Sequence, residues 1–84
     1  MSAVYTTPQY TDVYAVDLSS TDATLKSGTI ALRCEGSGHV KIDVLRGSQG
    51  VTVPLSANGP DLVLQGITKV YKTGTSATGI VAFV

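Results

Sequence analysis

Between residues 13 and 84 the side chains change character at every second position, and glycine, serine or asparagine interrupts the pattern roughly every eight to ten residues. A period of two is the repeat of a β-strand, whose successive side chains point to opposite faces. No stretch carries apolar residues at helical spacing for more than about two turns. Residues 21–25 could supply one turn of helix at most. The eleven valines and eleven threonines reinforce the reading, because β-branched side chains suit a half-buried pleated surface. The expected fold is all-β: a small antiparallel β-sandwich or barrel of about seven short strands. An extended N-terminal arm, residues 1–11, precedes a sandwich domain, residues 12–84.

The segments follow one another legibly. Val13, Ala15 and Asp17 oppose Tyr14, Val16 and Leu18. Residues 29–35 put Ile30, Leu32 and Cys34 on one face, with Arg33 and Glu35 on the other. Gly36-Ser37-Gly38 follows as a tight reversal, and residues 39–45 turn Val40, Ile42 and Val44 inward, Lys41 and Asp43 outward. This spacing predicts a hairpin. Arg46-Gly47-Ser48-Gln49-Gly50 makes the next turn, into Val51, Val53 and Leu55 alternating with Thr52 and Pro54. Proline has no amide to give a ladder, so that strand belongs at an edge or an end. After the loop Ser56-Ala57-Asn58-Gly59-Pro60, residues 62–72 read as one strand broken near Gly66, which suits a bulge. Thr73-Gly74-Thr75-Ser76 turns into a last strand over residues 78–84.

Two segments exceed what a self-contained sandwich needs. Ile80-Val81-Ala82-Phe83-Val84 is apolar on both faces, as befits a strand central between packed layers or one set against a partner subunit. The arm carries Tyr5, Pro8 and Tyr10 among threonines, without periodicity. Val4, Tyr5, Pro8 and Tyr10 on the arm, with Ile80, Val81, Phe83 and Val84 in the last strand, are therefore the candidate interface residues.

Size and charge point the same way. A chain of 84 residues is one small domain, and small domains bury too little of their surface to fold with much margin. The single cysteine, Cys34, rules out an intrachain disulfide. One cysteine and one histidine, His39, cannot furnish the four ligands of a structural zinc. Oligomerisation is the common device that remains. Six basic and six acidic residues cancel, and charged residues make up 14% of the chain, against about 25% in an average domain. Such a balance carries no electrostatic footprint for nucleic acid or an anionic membrane. A surface this poor in charge suits being covered by neighbours. Met1-Ser2-Ala3-Val4-Tyr5 lacks the basic and apolar regions of a signal peptide, and no apolar run approaches the ~20 residues that span a bilayer. Synthesis in the cytoplasm is expected.

Candidate chemistry is sparse. His39 follows Gly-Ser-Gly at a reversal, where a solvated turn residue is expected rather than a general base. Cys34 alternates with Ile30 and Leu32 and should pack as a small buried hydrophobe. Asp12, Asp17 and Asp22 recur five residues apart, a spacing that separates them on a strand and suits turn capping. Neither a calcium loop of Asp-x-Asp-x-Asp-Gly type nor a phosphate loop ending in Gly-Lys-Ser/Thr is present. No cofactor, no metal and no enzymatic activity are expected.

Val16-Asp17-Leu18-Ser19-Ser20-Thr21-Asp22-Ala23-Thr24-Leu25, then Thr29-Ile30-Ala31-Leu32-Arg33, then Gly36-Ser37-Gly38-His39-Val40-Lys41-Ile42 form an ordered series. It closes with Thr73-Gly74-Thr75-Ser76-Ala77-Thr78-Gly79-Ile80-Val81-Ala82-Phe83, the most specific part. From Val13 onward the chain resembles the small head-spike base and capsid decoration proteins of tailed phages and gene transfer agents. The resemblance implies a non-enzymatic virion structural protein, made in the host cytoplasm and carried on the capsid surface. It implies a symmetric oligomer, a trimer or pentamer, bound to the major capsid protein as cement or as the base for a spike or fibre protein. The segment Gly66-Ile67-Thr68-Lys69-Val70-Tyr71-Lys72 is less basic than the family's strand at that place, so no attachment residues are carried over. On this reading the arm lies across a neighbour, and the tips at 36–39 and 46–50 touch the shell or a fibre. The alternative is a soluble β-sandwich recognition module that binds a glycan or a peptide strand.

Overall fold

Inward-facing Val40 and Ile42 need a second apolar layer to cover them, and the last strand helps to supply it. The computed structural model describes residues 10–84. They form eight strands and no helix: β1 (Val13–Ala15), β2 (Ala23–Thr24), β3 (Ala31–Arg33), β4 (Gly38–Val44), β5 (Val51–Leu55), β6 (Leu62–Val63), β7 (Ile67–Val70) and β8 (Val81–Phe83). Two four-stranded sheets result, with strand orders β1-β8-β3-β6 and β2-β7-β4-β5. Every ladder is antiparallel. The all-β sandwich expected from the alternation is what the chain adopts.

The core lies between the sheets. Leu32 and Ala82 from the first, with Ile80 just ahead of β8, meet Val40, Ile42, Leu55, Ile67 and Val70 from the second. Leu32, Val40, Ile42 and Val70 are fully enclosed. Cys34 is buried with them, its Sγ 3.7 Å from the Leu55 carbonyl oxygen. Among the described residues Thr29 is the one buried polar side chain. Its hydroxyl donates to the Lys26 carbonyl at 2.7 Å and lies 2.6 Å from the Tyr14 hydroxyl, so its burial leaves nothing unpaired.

Two local expectations are corrected. Residues 29–35 and 39–45 do not form a hairpin: β3 pairs with β6 and β8, whereas β4 pairs with β5 and β7. Gly36-Ser37-Gly38 is a corner where the chain changes sheets, and β4–β5 is the hairpin beside it. The glycines answer a close approach. A Cβ on Gly38 would lie 2.6 Å from the Ala77 amide nitrogen and 2.6 Å from Ser76 Oγ. The return corner from β7 to β8 packs there, joined by Gly36 N–H to Thr78 O and Thr78 N–H to Gly36 O, both at 3.0 Å. The break at Gly66 is likewise a change of sheet, at a positive φ of 79°, and it separates β6 from β7. The bulge lies further on. Asp43 faces Lys69 but Val44 faces Ile67, so Thr68 is the extra residue, and both Ile67 and Val70 turn inward.

Gly38→Ala should therefore destabilise the domain by about 1–3 kcal/mol, as overpacking against backbone does. Thermal unfolding should shift down by at least about 5 °C on the scale for a domain of this size. An unchanged midpoint would place the two corners further apart than described.

Pro54 sits on β5, which is an edge strand as its missing amide requires. The last strand, β8, is the partner of both β1 and β3, and so lies inside its sheet. The N-terminal end of the described chain is tied to it: the Asp12 amide donates to the Val84 carbonyl and the Val84 amide to the Asp12 carbonyl, each at 2.9 Å. Thr11, expected within the arm, also donates its hydroxyl to Val84 O at 2.9 Å.

Candidate interaction face

The two outer faces of the sandwich differ in chemistry. Opposite each other in register on the β1-β8-β3-β6 sheet stand Val13, Phe83, Ala31 and Val63 in one row, and Ala15, Val81 and Arg33 in the next. Their neighbours Tyr14, Ala82, Leu32 and Leu62 point into the core. This set is apolar except for Arg33, and Ala31 in its middle is fully buried. The Arg33 side chain is bound to Asp61, with Nε–Oδ1 at 2.8 Å and Nη2–Oδ2 at 3.1 Å. The ion pair holds the Arg33 guanidinium pKa above its ordinary value, first through the hydrogen bond and then through the carboxylate's charge.

Apolar exposure occurs at the two margins of this face, and also off this sheet, where Leu45 is 70% exposed and Val51 37%. Val13 is 51% exposed and Val63 49%. Phe83 lies between them, with the Tyr10 ring 4.7 Å away at 37° and the Arg33 guanidinium 5.6 Å over its ring. Aromatic and cation contacts of this kind fix a ring without hiding it.

The opposite face is polar. His39, Lys41 and Asp43 on β4 point outward beside Pro54 and Thr52 on β5 and Lys69 on β7. The Tyr71 hydroxyl donates to Asp43 Oδ1 at 2.8 Å, where the Gly50 amide also donates at 2.8 Å. The bond to Asp43, with partial burial and the carboxylate's charge, raises the Tyr71 pKa. Lys41 and Lys69 flank the Tyr71 ring, their ammonium nitrogens 5.0 and 4.7 Å from its centroid. Asp22 accepts from the Lys72 amide at 2.8 Å and pairs with Lys69 at 3.5 Å.

Asp17 and Asp22 both hold their charge to lower pH than an ordinary carboxylate. For Asp17 the cause is hydrogen bonding from the Ser19 side chain, then from its amide. For Asp22 it is first the Lys72 amide, which outweighs partial desolvation, with Lys69 adding to it. A depressed carboxyl pKa stabilises the fold above the unfolded-chain value, near about 4, and the contribution is lost as pH falls through the folded value. The thermal midpoint should thus hold from neutral to about pH 5 and decline below about pH 4. Asp17→Asn with Asp22→Asn should flatten that decline, measured by circular dichroism across the acid range. An equally steep fall in the double variant would assign the acid sensitivity elsewhere.

The expected interface residues divide. Val81 and Phe83 lie on the apolar outer face, half-buried, and Tyr10 borders it. Val84 is half-buried. Ile80 is only 4% exposed and belongs to the core instead. Val4, Tyr5 and Pro8 lie outside the described residues. His39 is not at a hairpin tip but within β4, exposed on the polar face, while Cys34 is in the core, so the two are not brought together. Among the described residues no group of three His, Cys, Asp or Glu side chains could hold a metal ion. Asp17 caps its turn as expected, accepting from the Ser19 amide at 2.9 Å; Asp12 pairs with Lys26 at 3.5 Å.

Val13, Val63 and Leu45 were not singled out by sequence reasoning. Leu45, 70% exposed, follows inward Val44 and so occupies an outward position. Apolar side chains at outward positions were the available signal for all three. The arrangement defines a two-sheet antiparallel β-sandwich with one apolar and one charged outer face. Comparison with protein-family models, with curated proteins and with solved structures found no significant match to the chain.

Proposed function

We propose that this chain is a non-enzymatic structural subunit of a phage-type virion. It assembles into a symmetric trimer or pentamer on the major capsid protein, as a decoration (cement) or head-spike base protein that can carry a spike or fibre. The observation that carries the reading is the apolar outer face of the β1-β8-β3-β6 sheet, with Val13 and Val63 about half exposed on a chain only 14% charged. Exposed apolar side chains at the margins of a face whose one charged side chain is already paired suit a surface that another protein covers. Many modest contacts on a symmetric lattice give firm attachment through avidity. The resemblance of the closing Thr73-to-Phe83 stretch to head-spike base proteins supports the virion setting.

A soluble recognition module ranks second for two reasons. Pro54 on edge strand β5 hinders the addition of a peptide strand there. Tyr71, the aromatic of the polar face, has Lys41 and Lys69 over its ring and little free surface on which a sugar could stack.

The test is whether the chain travels with particles. In particles purified by density gradient from cells that produce it, quantitative mass spectrometry should find it at a fixed ratio to the major capsid protein. Its absence from particles, with free chain in the lysate, would overturn the proposal.

A further inference from the structure

We infer that Asn58 is a modification site: the Gly59 main-chain nitrogen closes on the Asn58 side chain, expels ammonia and leaves aspartate or isoaspartate in its place. The reaction needs one chain and water, and so stands apart from assembly.

The loop between β5 and β6, Ser56-Ala57-Asn58-Gly59-Pro60, supplies both reactants in sequence. Asn58 is the single asparagine of the chain, and a glycine follows it. The side-chain carbonyl carbon of an asparagine is placed to form a cyclic imide with the next residue's nitrogen, and a side chain on that next residue obstructs the approach. Glycine has none, and it admits the widest range of backbone angles.

What the fold adds is access. Asn58 and Gly59 are both exposed. The Asn58 amide donates to Ser56 Oγ at 3.3 Å, but among the described residues nothing bonds its carboxamide. The Gly59 amide donates to the Ser56 carbonyl at 3.4 Å, longer than the usual range for such a bond. Neither the attacking nitrogen nor the carbon it attacks is held back. Just upstream the loop is fixed, because the Ala57 amide donates to Ser37 Oγ at 2.8 Å and Leu55 is buried. Residues 58 and 59 can therefore swing through the closing geometry without disturbing the core. Gln49-Gly50 makes the contrast. A glutamine must close a larger ring, and the Gly50 amide is tied to Asp43 Oδ1 at 2.8 Å.

The chemistry balances with water alone. Hydroxide removes the proton from the Gly59 amide, the nitrogen bonds to Asn58 Cγ, and the Cγ–Nδ2 bond breaks as ammonia leaves with a proton from water. A second water then opens the cyclic imide. Opening at Cγ gives aspartate; opening at the Asn58 main-chain carbonyl routes the backbone through the side chain as isoaspartate. Either product carries a new negative charge, so six acidic groups become seven against six basic ones. The charge arises between Ser56 and Pro60, which line an open groove with His39 and Pro54. It accrues with time after synthesis, on a chain that starts neutral.

The purified full chain, aged at mildly alkaline pH, tests this when folded and urea-unfolded samples are run side by side. Peptide mapping by mass spectrometry separates residue 58 from Gln49 and Gln65. Expected is conversion of Asn58 to isoaspartate and aspartate together, with an acidic shift in isoelectric focusing. The folded rate should lie within about tenfold of the unfolded one, as exposed loops open at little free-energy cost. Gly59→Ala should slow the conversion several-fold in urea, where the variant's fold plays no part. A folded chain that keeps Asn58 while the unfolded chain loses it would overturn the inference, because the loop would then protect the site. Aspartate without isoaspartate, or an undiminished rate for Gly59→Ala in urea, would equally overturn it, since neither passes through closure by the Gly59 nitrogen.

Discussion

Ile42→Ala should come close to unfolding this domain. Ile42 is fully buried on β4, the strand that joins β5 to β7, and it faces the apolar side chains of the other sheet. Removing three carbons from such a site costs about 2–5 kcal/mol, the spread set by how far the surroundings collapse. A domain of this length has roughly 4–13 kcal/mol in all. The thermal midpoint should fall by at least about 10 °C, with a matching drop in urea midpoint. The conservative change Ile42→Val should cost about 0.5–1.5 kcal/mol. A midpoint shift in Ile42→Ala no larger than that of Ile42→Val would mean that the two sheets do not close over this residue.

The second large effect concerns assembly, and it should leave the fold intact. Val13 and Val63 stand on the edge strands β1 and β6, at opposite sides of the apolar outer face. Each is about half exposed, so lysine at either place should alter the stability of the single chain by less than about 0.5 kcal/mol. In the assembled state the same lysines would be desolvated without partners, a penalty of several kcal/mol per ion. Val13→Lys with Val63→Lys should weaken self-association by about 100-fold or more. Sedimentation velocity would read this directly, with circular dichroism as the control for folding. A double variant that associates as tightly as the unmodified chain would remove this face from the interface.

Much of this architecture was legible because alternation reports which way a side chain points. Val40, Ile42, Leu32 and Cys34 are buried as their positions required, and Pro54 fell on an edge strand. Alternation does not report which strand lies alongside. Residues 29–35 and 39–45 therefore read as a hairpin, although they belong to different sheets. Gly36 and Gly38 looked like turn residues, yet they are needed because the 76–78 corner packs against them. That contact spans some forty residues of sequence, and no local pattern encodes it.

The same limit governs the candidate face. Val81 and Phe83 were legible from a last strand apolar on both sides, but Ile80 in that strand turned out to serve the core. Val13 and Val63 come together with Phe83 only through the register of β1, β8, β3 and β6. A lone outward valine is unremarkable in sequence; only the register shows that Val13 and Val63 flank Phe83 on one sheet.

Sedimentation equilibrium of the unmodified full chain, over at least a hundredfold range of micromolar concentrations, bears most directly on whether that surface is covered by other copies. Assembly through the apolar face predicts a closed oligomer, three or five chains in mass, that dissociates on dilution and whose thermal midpoint rises with concentration. A single-chain mass at every concentration, with a constant midpoint, would contradict it.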